Sequence, residues 1–210
     1  MKETNIFFFF PLKAMLARTK FQNISGTRCK VDFVETPSLL MEYFCRDYRV
    51  VKKFAKHFQT GEVLPAYLLK TLLESKDQFS ALEMQNQIFY SMVDQTYHGP
   101  GAGSLDTTKT FESLQQRYYP IKYAANTAWQ TNFTHLYGYG GGYYSYLSCK
   151  GFASQIWATC FSEDPLSRQA GERYRREILA HGGGKNPEDM IQAMLGGDKI
   201  STDALIAEVS

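Results

Sequence analysis

Helix punctuation runs through almost the whole chain, while the strict alternation that marks a half-buried strand is confined to a few residues near Phe21 to Phe33. From Lys76 to Tyr97, the apolar residues Phe79, Leu82, Phe89 and Val93 recur at helical intervals, and Glu83, Gln85 and Gln87 point elsewhere. That pattern predicts a long amphipathic helix. Upstream, Thr36 and Pro37 fit N-cap and first-turn positions. They predict a helix with Leu40, Phe44, Val51, Phe54, Ala55 and Phe58 on one apolar face, closed by Gly61. Pro65 opens a shorter helix through Leu73, and another is expected from about Asp106 to Tyr118, ending before Pro120.

Asn126 to Gly142 is dense in Thr, Gly and aromatics and reads as an ordered loop. Helix resumes at Tyr143 and runs toward Phe161, with Gly151 as its weak point. Asp164-Pro165 caps a further helix through Ala180, which stops at Gly182-Gly183-Gly184, and Asn186-Pro187 and Ser201 open two short final helices. There is no internal repeat. The fold class is all-α, one domain or part of one.

With 210 residues and 44% hydrophobic content, the chain can bury one sizeable core. Its 23 basic and 21 acidic residues are interspersed, with no basic block to track phosphates, which argues against a nucleic-acid partner. No apolar run approaches the roughly 20 residues that cross a bilayer, which argues against a membrane partner. Cys29, Cys45, Cys149 and Cys160 include no CxxC pair and read as reduced and mostly buried. Met1 to Pro11 reads MKETNIFFFFP, with an apolar run too short for a secretory signal and no helical periodicity. It reads as foreign to the domain downstream of it.

Three regions are too particular for a plain helical bundle. Asp32-Phe33-Val34-Glu35-Thr36-Pro37-Ser38 sets two carboxylates three residues apart before a proline-capped helix. On its own, this is most simply explained by acidic residues favouring the positive end of the helix dipole. His135-Leu136-Tyr137-Gly138-Tyr139-Gly140-Gly141-Gly142-Tyr143-Tyr144-Ser145-Tyr146 offers hydrogen-bond donors on a glycine-rich loop able to approach a ligand backbone. Aromatic packing explains it equally well. The run from Ala170 to Gly184, AGERYRREILAHGGG, includes an esterase-like HGGG but has no GxSxG nucleophile elbow to serve. It is better read as a helix C-terminus with His181 near the negative dipole end.

Taken together, the stretches ARTKFQNISGTRC, DFVETPSLLMEYF, FAKHFQTGEVLP, ESKDQFSALEMQNQIFYSMVDQTYHG, NTAWQTNFTHLYGYGGGYYSYL and AGERYRREILAHGGG resemble the thimet oligopeptidase family of zinc metallopeptidases, in the family's order from about Ala14 onward. The resemblance implies the C-terminal helical part of a zincin-type metalloendopeptidase catalytic domain, with irregular active-site loops. It implies peptide substrates, one zinc ion per chain, and work on oligopeptides or on presequences in the mitochondrial matrix.

Such enzymes bind zinc through two histidines of a helical HExxH motif and a glutamate from a later helix, leaving one position for water. The HExxH glutamate is the general base, and the metal lowers the pKa of the water toward ~7. By motif, Glu35 matches the third zinc ligand, and Asp32 is a candidate to orient a ligating histidine. His135, Tyr139, Tyr143 and Tyr146 match the loop that contacts the substrate backbone, where at least one tyrosine donates to the developing oxyanion.

The departure lies upstream. Counting back from Ala14-Met15-Leu16, the HExxH slots fall on Ile6, Phe7 and Phe10, none of which can bind zinc or accept a proton. His57, His98, His135 and His181 never stand at i, i+4 spacing. The expectation is therefore a foreign segment at residues 1–12, followed by the C-terminal part of the peptidase catalytic domain at 13–210. In this reading the chain is inactive as it stands and needs the family's substrate-binding N-terminal half. The alternative is a catalytically dead helical module that binds peptides or a partner protein.

Overall fold

Capping residues and prolines set most helix boundaries. The computed structural model describes residues 13–207. In order, the chain forms α1 (Val31–Val34), α2 (Thr36–Arg46), α3 (Tyr48–Val51), α4 (Ala66–Asp77), α5 (Ser80–His98), α6 (Thr107–Tyr118), α7 (His135–Tyr139), α8 (Ser145–Ile156), α9 (Arg168–Glu177), α10 (Pro187–Leu195) and α11 (Asp203–Ala207). Among the described residues the only strand-like pairing is an isolated antiparallel bridge between Lys56 and Val63. The fold is all-α, as the periodicity predicts.

Local chemistry explains the ends. Asp106 caps α6 by accepting the Lys109 N–H at 3.1 Å, and Ser167 caps α9 by accepting from Ala170 at 3.3 Å. Pro187 stands in the first turn of α10, and Gly196 ends it at φ +82°.

Several boundaries differ from the sequence expectations, among them α4, which runs to Asp77 and not Leu73, and α9, which ends at Glu177 and not Ala180. The helix expected to reach Phe58 ends at Arg46, because Asp47 turns extended (φ −90°, ψ 118°) and its carboxylate accepts the Arg49 N–H at 2.8 Å. The Arg49 guanidinium then reaches the carbonyls of Ser162 and Glu163 at 2.7 and 2.6 Å. Beyond it the chain folds back on itself, with His57 N–H bonded to Glu62 O and Leu64 N–H to Ala55 O. Phe54 and Phe58 consequently stand 65% and 88% exposed, not on a buried face.

The long stretch from Lys76 is divided at Phe79 (φ −130°, ψ 24°), where α4 has ended and α5 has yet to start. The helix from Tyr143 starts at Ser145, passes through Gly151 and becomes a π-helical segment at Trp157–Phe161. A Cβ on Gly151 would come to 3.9 Å from the Leu205 side chain, so this glycine sits where α11 packs. Finally, α9 starts at Arg168, a turn after Asp164-Pro165.

The chain divides into two compact units. The first comprises residues 13–78 and 149–207. Its core joins Phe33, Leu40, Ile156, Ile178, Met190, Ile191 and Met194, all essentially solvent-free. Burying each such side chain contributes about 1.5–3 kcal/mol before entropy is counted. Phe44 packs edge-on against Trp157 and Phe161 at 5.0 and 5.1 Å, which fastens α2 to the π-helical segment.

The second unit, residues 79–148, is held by aromatics. Phe89 of α5 meets Phe111 of α6 edge-on at 5.1 Å and stacks on Tyr119 at 5.8 Å, while Tyr90 stacks on Trp129 at 5.1 Å. Among the described residues no disulfide joins the cysteines; Cys149 is buried and the other three are partly exposed. No helix among the described residues is long and apolar enough to cross a membrane.

Candidate functional site

The carboxylates of the DFVETPS motif lie in the first unit. A single helical turn, α1, carries Asp32 and drives Phe33 into the core, and it leaves Glu35 at the start of α2. Glu35 is the N-cap residue, but its side chain caps nothing. Instead the Ser38 hydroxyl lies 2.8 Å from both Glu35 Oε2 and the Glu35 carbonyl, and its one proton can serve either oxygen. Thr36, Pro37 and Ser38 are buried, so the turn that carries Glu35 is fixed by packing.

Asp32 is placed differently. Its carbonyl accepts the Cys149 thiol at 3.1 Å, whereas its side-chain Oδ1 is sealed from solvent with no hydrogen-bond partner. A buried carboxylate oxygen without a donor is costly and rare. Beside it, burial pushes the Cys149 thiol up to about 11, helped by the neighbouring Glu35 charge and opposed by hydrogen bonding at Thr36 and Glu35.

A zinc centre of the zincin kind takes three protein ligands. Glu35 offers one carboxylate, and no group of three or more His, Cys, Asp or Glu able to hold a metal occurs among the described residues. The described residues do not by themselves fit a zinc ion. Ile6, Phe7 and Phe10, at the expected HExxH positions, lie outside the described residues.

The His-Tyr loop belongs to the second unit. What reads as loop from Asn126 contains a 3₁₀ turn at Trp129–Asn132 and then α7, which ends at Gly140 (φ +52°). His135 stacks on Tyr139 at 5.7 Å and meets Tyr143 edge-on at 5.7 Å. The Tyr139 and Tyr146 hydroxyls are 2.7 Å apart. Tyr143 is buried, and its hydroxyl donates to Gln87 Oε1 at 3.0 Å. Burial pushes this phenol up to about 12, with Tyr90 adding to the effect and the Gln87 bond opposing it.

Thus His135, Tyr139, Tyr143 and Tyr146 form one aromatic cluster. Asp32 and Glu35 form a separate group around Ser38 and Cys149.

Asp94 belongs to none of the three sequence motifs. It lies on α5, is fully buried, and accepts the backbone N–H groups of Gly141 at 3.1 Å and Tyr143 at 2.8 Å. The signal in the sequence was an acidic residue next to Val93 on the apolar side of the helix, four residues before His98.

The third region is structural. Around α9, Glu172 pairs with Arg175 and Arg176 at 2.6 and 2.9 Å, and the Arg175 bond foremost holds its carboxyl down at about 2. The helix ends at Glu177, and a 3₁₀ turn carries Leu179 to His181. HGGG then packs against the turn at Ile24 to Cys29: Gly183 N–H donates to Ile24 O at 2.7 Å. The helix expected to run to Ala180 thus stops three residues earlier with Ile178 as its C-cap, and HGGG follows a separate 3₁₀ turn and serves a close backbone contact.

Similarity to known proteins decides the family. The sequence pattern of peptidase family M3 matches residues 11–210. The chain belongs to peptidase family M3. This M3 chain is 54% identical over 184 residues to the mitochondrial intermediate peptidase of Mus musculus and 51% identical to that of Homo sapiens, each alignment covering 88% of the chain. It is 40% identical over 191 residues to the mitochondrial intermediate peptidase of Arabidopsis thaliana, covering 90% of the chain. The M3 chain spans about a quarter of the length of these relatives (26% for the mammalian proteins and 27% for the plant one). The DFVETPS motif, the His-Tyr loop and HGGG all fall within the M3 match.

Proposed function

We propose that this M3 chain is the C-terminal part of a zinc metalloendopeptidase catalytic domain, running from residue 13 onward and acting on peptides. In this reading Glu35 supplies one zinc ligand. Asp32 orients a ligating histidine, and His135, Tyr139, Tyr143 and Tyr146 engage the peptide backbone. The relatives' names favour a mitochondrial setting; the matrix as the compartment rests on the family resemblance alone.

The observation that carries the proposal is the buried, partnerless Asp32 Oδ1, three residues from a Glu35 carboxylate already steadied by Ser38. An acceptor sealed from water is tolerated where an N–H donor will meet it, and the imidazole N–H of a metal-bound histidine is such a donor. Zinc, when bound, would polarise the scissile carbonyl and activate water. The chain's own contribution is to hold a carboxylate, a histidine-orienting acceptor and phenolic donors on folded elements. Tyr143's hydroxyl is committed to Gln87, so Tyr139 and Tyr146, paired with each other, are better placed to offer a proton outward.

The 210 residues contain no HExxH, so this chain alone does not hold catalytic zinc or hydrolyse peptides. The needed groups would come with the remainder of an M3 enzyme, including its N-terminal half. The test is zinc content together with turnover of a quenched fluorescent peptide. The chain as given is expected to carry no stoichiometric zinc. The variant Ile6→His/Phe7→Glu/Phe10→His is expected to gain about one equivalent by the ligand count, and to lose it again when Glu35→Gln is added. One equivalent of zinc with chelator-sensitive turnover in the unaltered chain would overturn the inactivity. A triple variant that binds no zinc counts against Glu35 as a ligand.

A second reading is a peptide-binding module without catalysis. It is favoured by the tyrosine loop, whose anchoring to α5 requires no metal. Saturable binding of a labelled peptide by the zinc-free chain supports it.

A further inference from the structure

Asp94 is a buried charge, and such a charge is normally neutralised or heavily hydrogen-bonded. Its carboxylate is spent on the backbone of the glycine-rich loop: Oδ1 accepts from Gly141 and Oδ2 from Tyr143, at 3.1 and 2.8 Å. The next residue, Gln95, donates its side-chain N–H to the Gly141 carbonyl. One turn further along α5, His98 Nδ1 lies 3.0 Å from Asp94 Oδ1, and its Cβ lies 3.4 Å from where a Gly141 Cβ would stand. Gly141 is therefore gripped at its N–H, at its carbonyl and over its α-carbon by three residues of one helical turn. Its φ of +90° is a conformation that only glycine adopts without strain.

We propose that Asp94, seconded by Gln95 and His98, is the positioning residue of the tyrosine loop: it fixes the Gly141–Tyr143 backbone to α5 and thereby sets where the Tyr139 and Tyr146 hydroxyls stand. The inference rests on the peptide-contacting reading of that loop, but its geometric half can be tested without a peptide.

Packing alone does not account for the arrangement. A core position between Val93 and the loop could hold a small apolar residue, whereas a carboxylate there matches two N–H groups, those of Gly141 and Tyr143 on either side of Gly142, in a segment with φ values of +52° and +90° at Gly140 and Gly141. Paired N–H groups in a turn of this kind form an anion-accepting concavity, and here the protein fills it with its own carboxylate. Charge-assisted bonds of this type are about twice as strong as neutral ones. They hold a loop that is also fastened by Gln95 at the Gly141 carbonyl, by the Tyr143–Gln87 bond and by ring contacts.

The experiment compares the 210-residue chain with Asp94→Asn and Asp94→Ala. It reads amide hydrogen exchange at Gly141 and Tyr143, exchange at Phe89 and Phe111 as a core control, and the dissociation constant of a fluorescein-labelled unstructured peptide. Asp94→Asn keeps the shape and one acceptor, so one loop amide is expected to exchange about tenfold faster. Asp94→Ala frees both amides and weakens peptide binding about tenfold, as the loss of one such bond implies. Core exchange stays unchanged in both variants. If Asp94 served only stability, core and loop amides would move together and the proposal fails. It also fails if loop amides and peptide affinity match the unaltered chain. If the unaltered chain binds no peptide while the loop amides still respond selectively, the peptide-contacting reading falls and the placement role stands.

Discussion

The Gly183 N–H donates to the Ile24 carbonyl at 2.7 Å, tying the HGGG run to the turn that leads into Asp32. The approach is so close that a Cβ on Gly182 would lie 2.4 Å from Ile24 O, and one on Gly183 would lie 2.3 Å from Arg28 O. Both obstacles are backbone atoms and cannot swing aside. Gly182→Ala and Gly183→Ala are each expected to cost about 2 kcal/mol or more in a thermal or urea melt. Gly171→Ala lies inside α9 with open space around it and should stabilise by about 0.5–1 kcal/mol. Equal effects at the three glycines would show that the HGGG contact does not govern the packing.

Ser38 steadies the Glu35 carboxylate and the Glu35 carbonyl at the head of α2 with one hydroxyl. Ser38→Ala leaves these acceptors without that donor in a largely buried turn, at an expected cost of about 1 kcal/mol in melting experiments. In the Ile6→His/Phe7→Glu/Phe10→His background it should also weaken zinc affinity, because the ligand loses its orienting bond. Unchanged affinity there would mean that Ser38 holds the helix end and not the ligand.

How much of the fold and site was legible in the sequence depended on the range of the interactions. The α6 boundaries were readable because Asp106 and the Tyr118-Tyr119-Pro120 ending act within a turn. Glu35 and the tyrosine loop stand out as candidates because each lies in a contiguous string that a family resemblance can carry. An extended α2 fails at Asp47, where the chain turns and the carboxylate caps Arg49, a turn whose Arg49 guanidinium is tied to carbonyls at Ser162 and Glu163 more than a hundred positions away. Asp94 carries no local signature for the same reason: its acceptor role exists only once Gly141 and Tyr143, 47 and 49 residues later, fold against it. Phe79 fits a helical face by spacing, yet it stands 67% exposed at the break between two helices, since periodicity fixes a face and not its continuity.

Two shifted groups give a pH dependence with a definite sign. The Cys149 thiol is raised from 9.0 to about 11 and the Tyr143 phenol from 10.0 to about 12, each chiefly by burial. A raised value means that the folded state favours the protonated form. Both contributions are therefore complete below about pH 9 and are lost as pH climbs through 9–11 for the thiol and 10–12 for the phenol. Stability measured by urea melts should fall across that interval, and Cys149→Ser with Tyr143→Phe should flatten the fall. At about pH 8 the protonated, buried Cys149 is expected to react with a disulfide reagent far more slowly than Cys29, Cys45 or Cys160. Labelling of Cys149 at the same rate as the others would contradict its burial.

Exposed aromatics make the last expectation concrete. Where the chain folds back after α3, it leaves Phe58 88% and Phe54 65% exposed, and Tyr67 on α4 is 67% exposed. Single exposed apolar residues are ordinary, but several large rings within one short stretch of the first unit are a surface that water solvates poorly. The stretch also carries Lys52, Lys53 and Lys56, which keep like surfaces apart at low ionic strength and do so less as salt screens them. The chain should therefore associate with increasing concentration, and more strongly at about 0.5 M than at about 0.05 M salt, values chosen to shorten the Debye length severalfold. Phe54→Ser/Phe58→Ser should return it toward monomer in sedimentation velocity, with little effect on the melt because neither ring is buried. Association that persists in the double variant would place the sticky surface elsewhere, and a monomer at all concentrations would mean that these rings are tolerated singly.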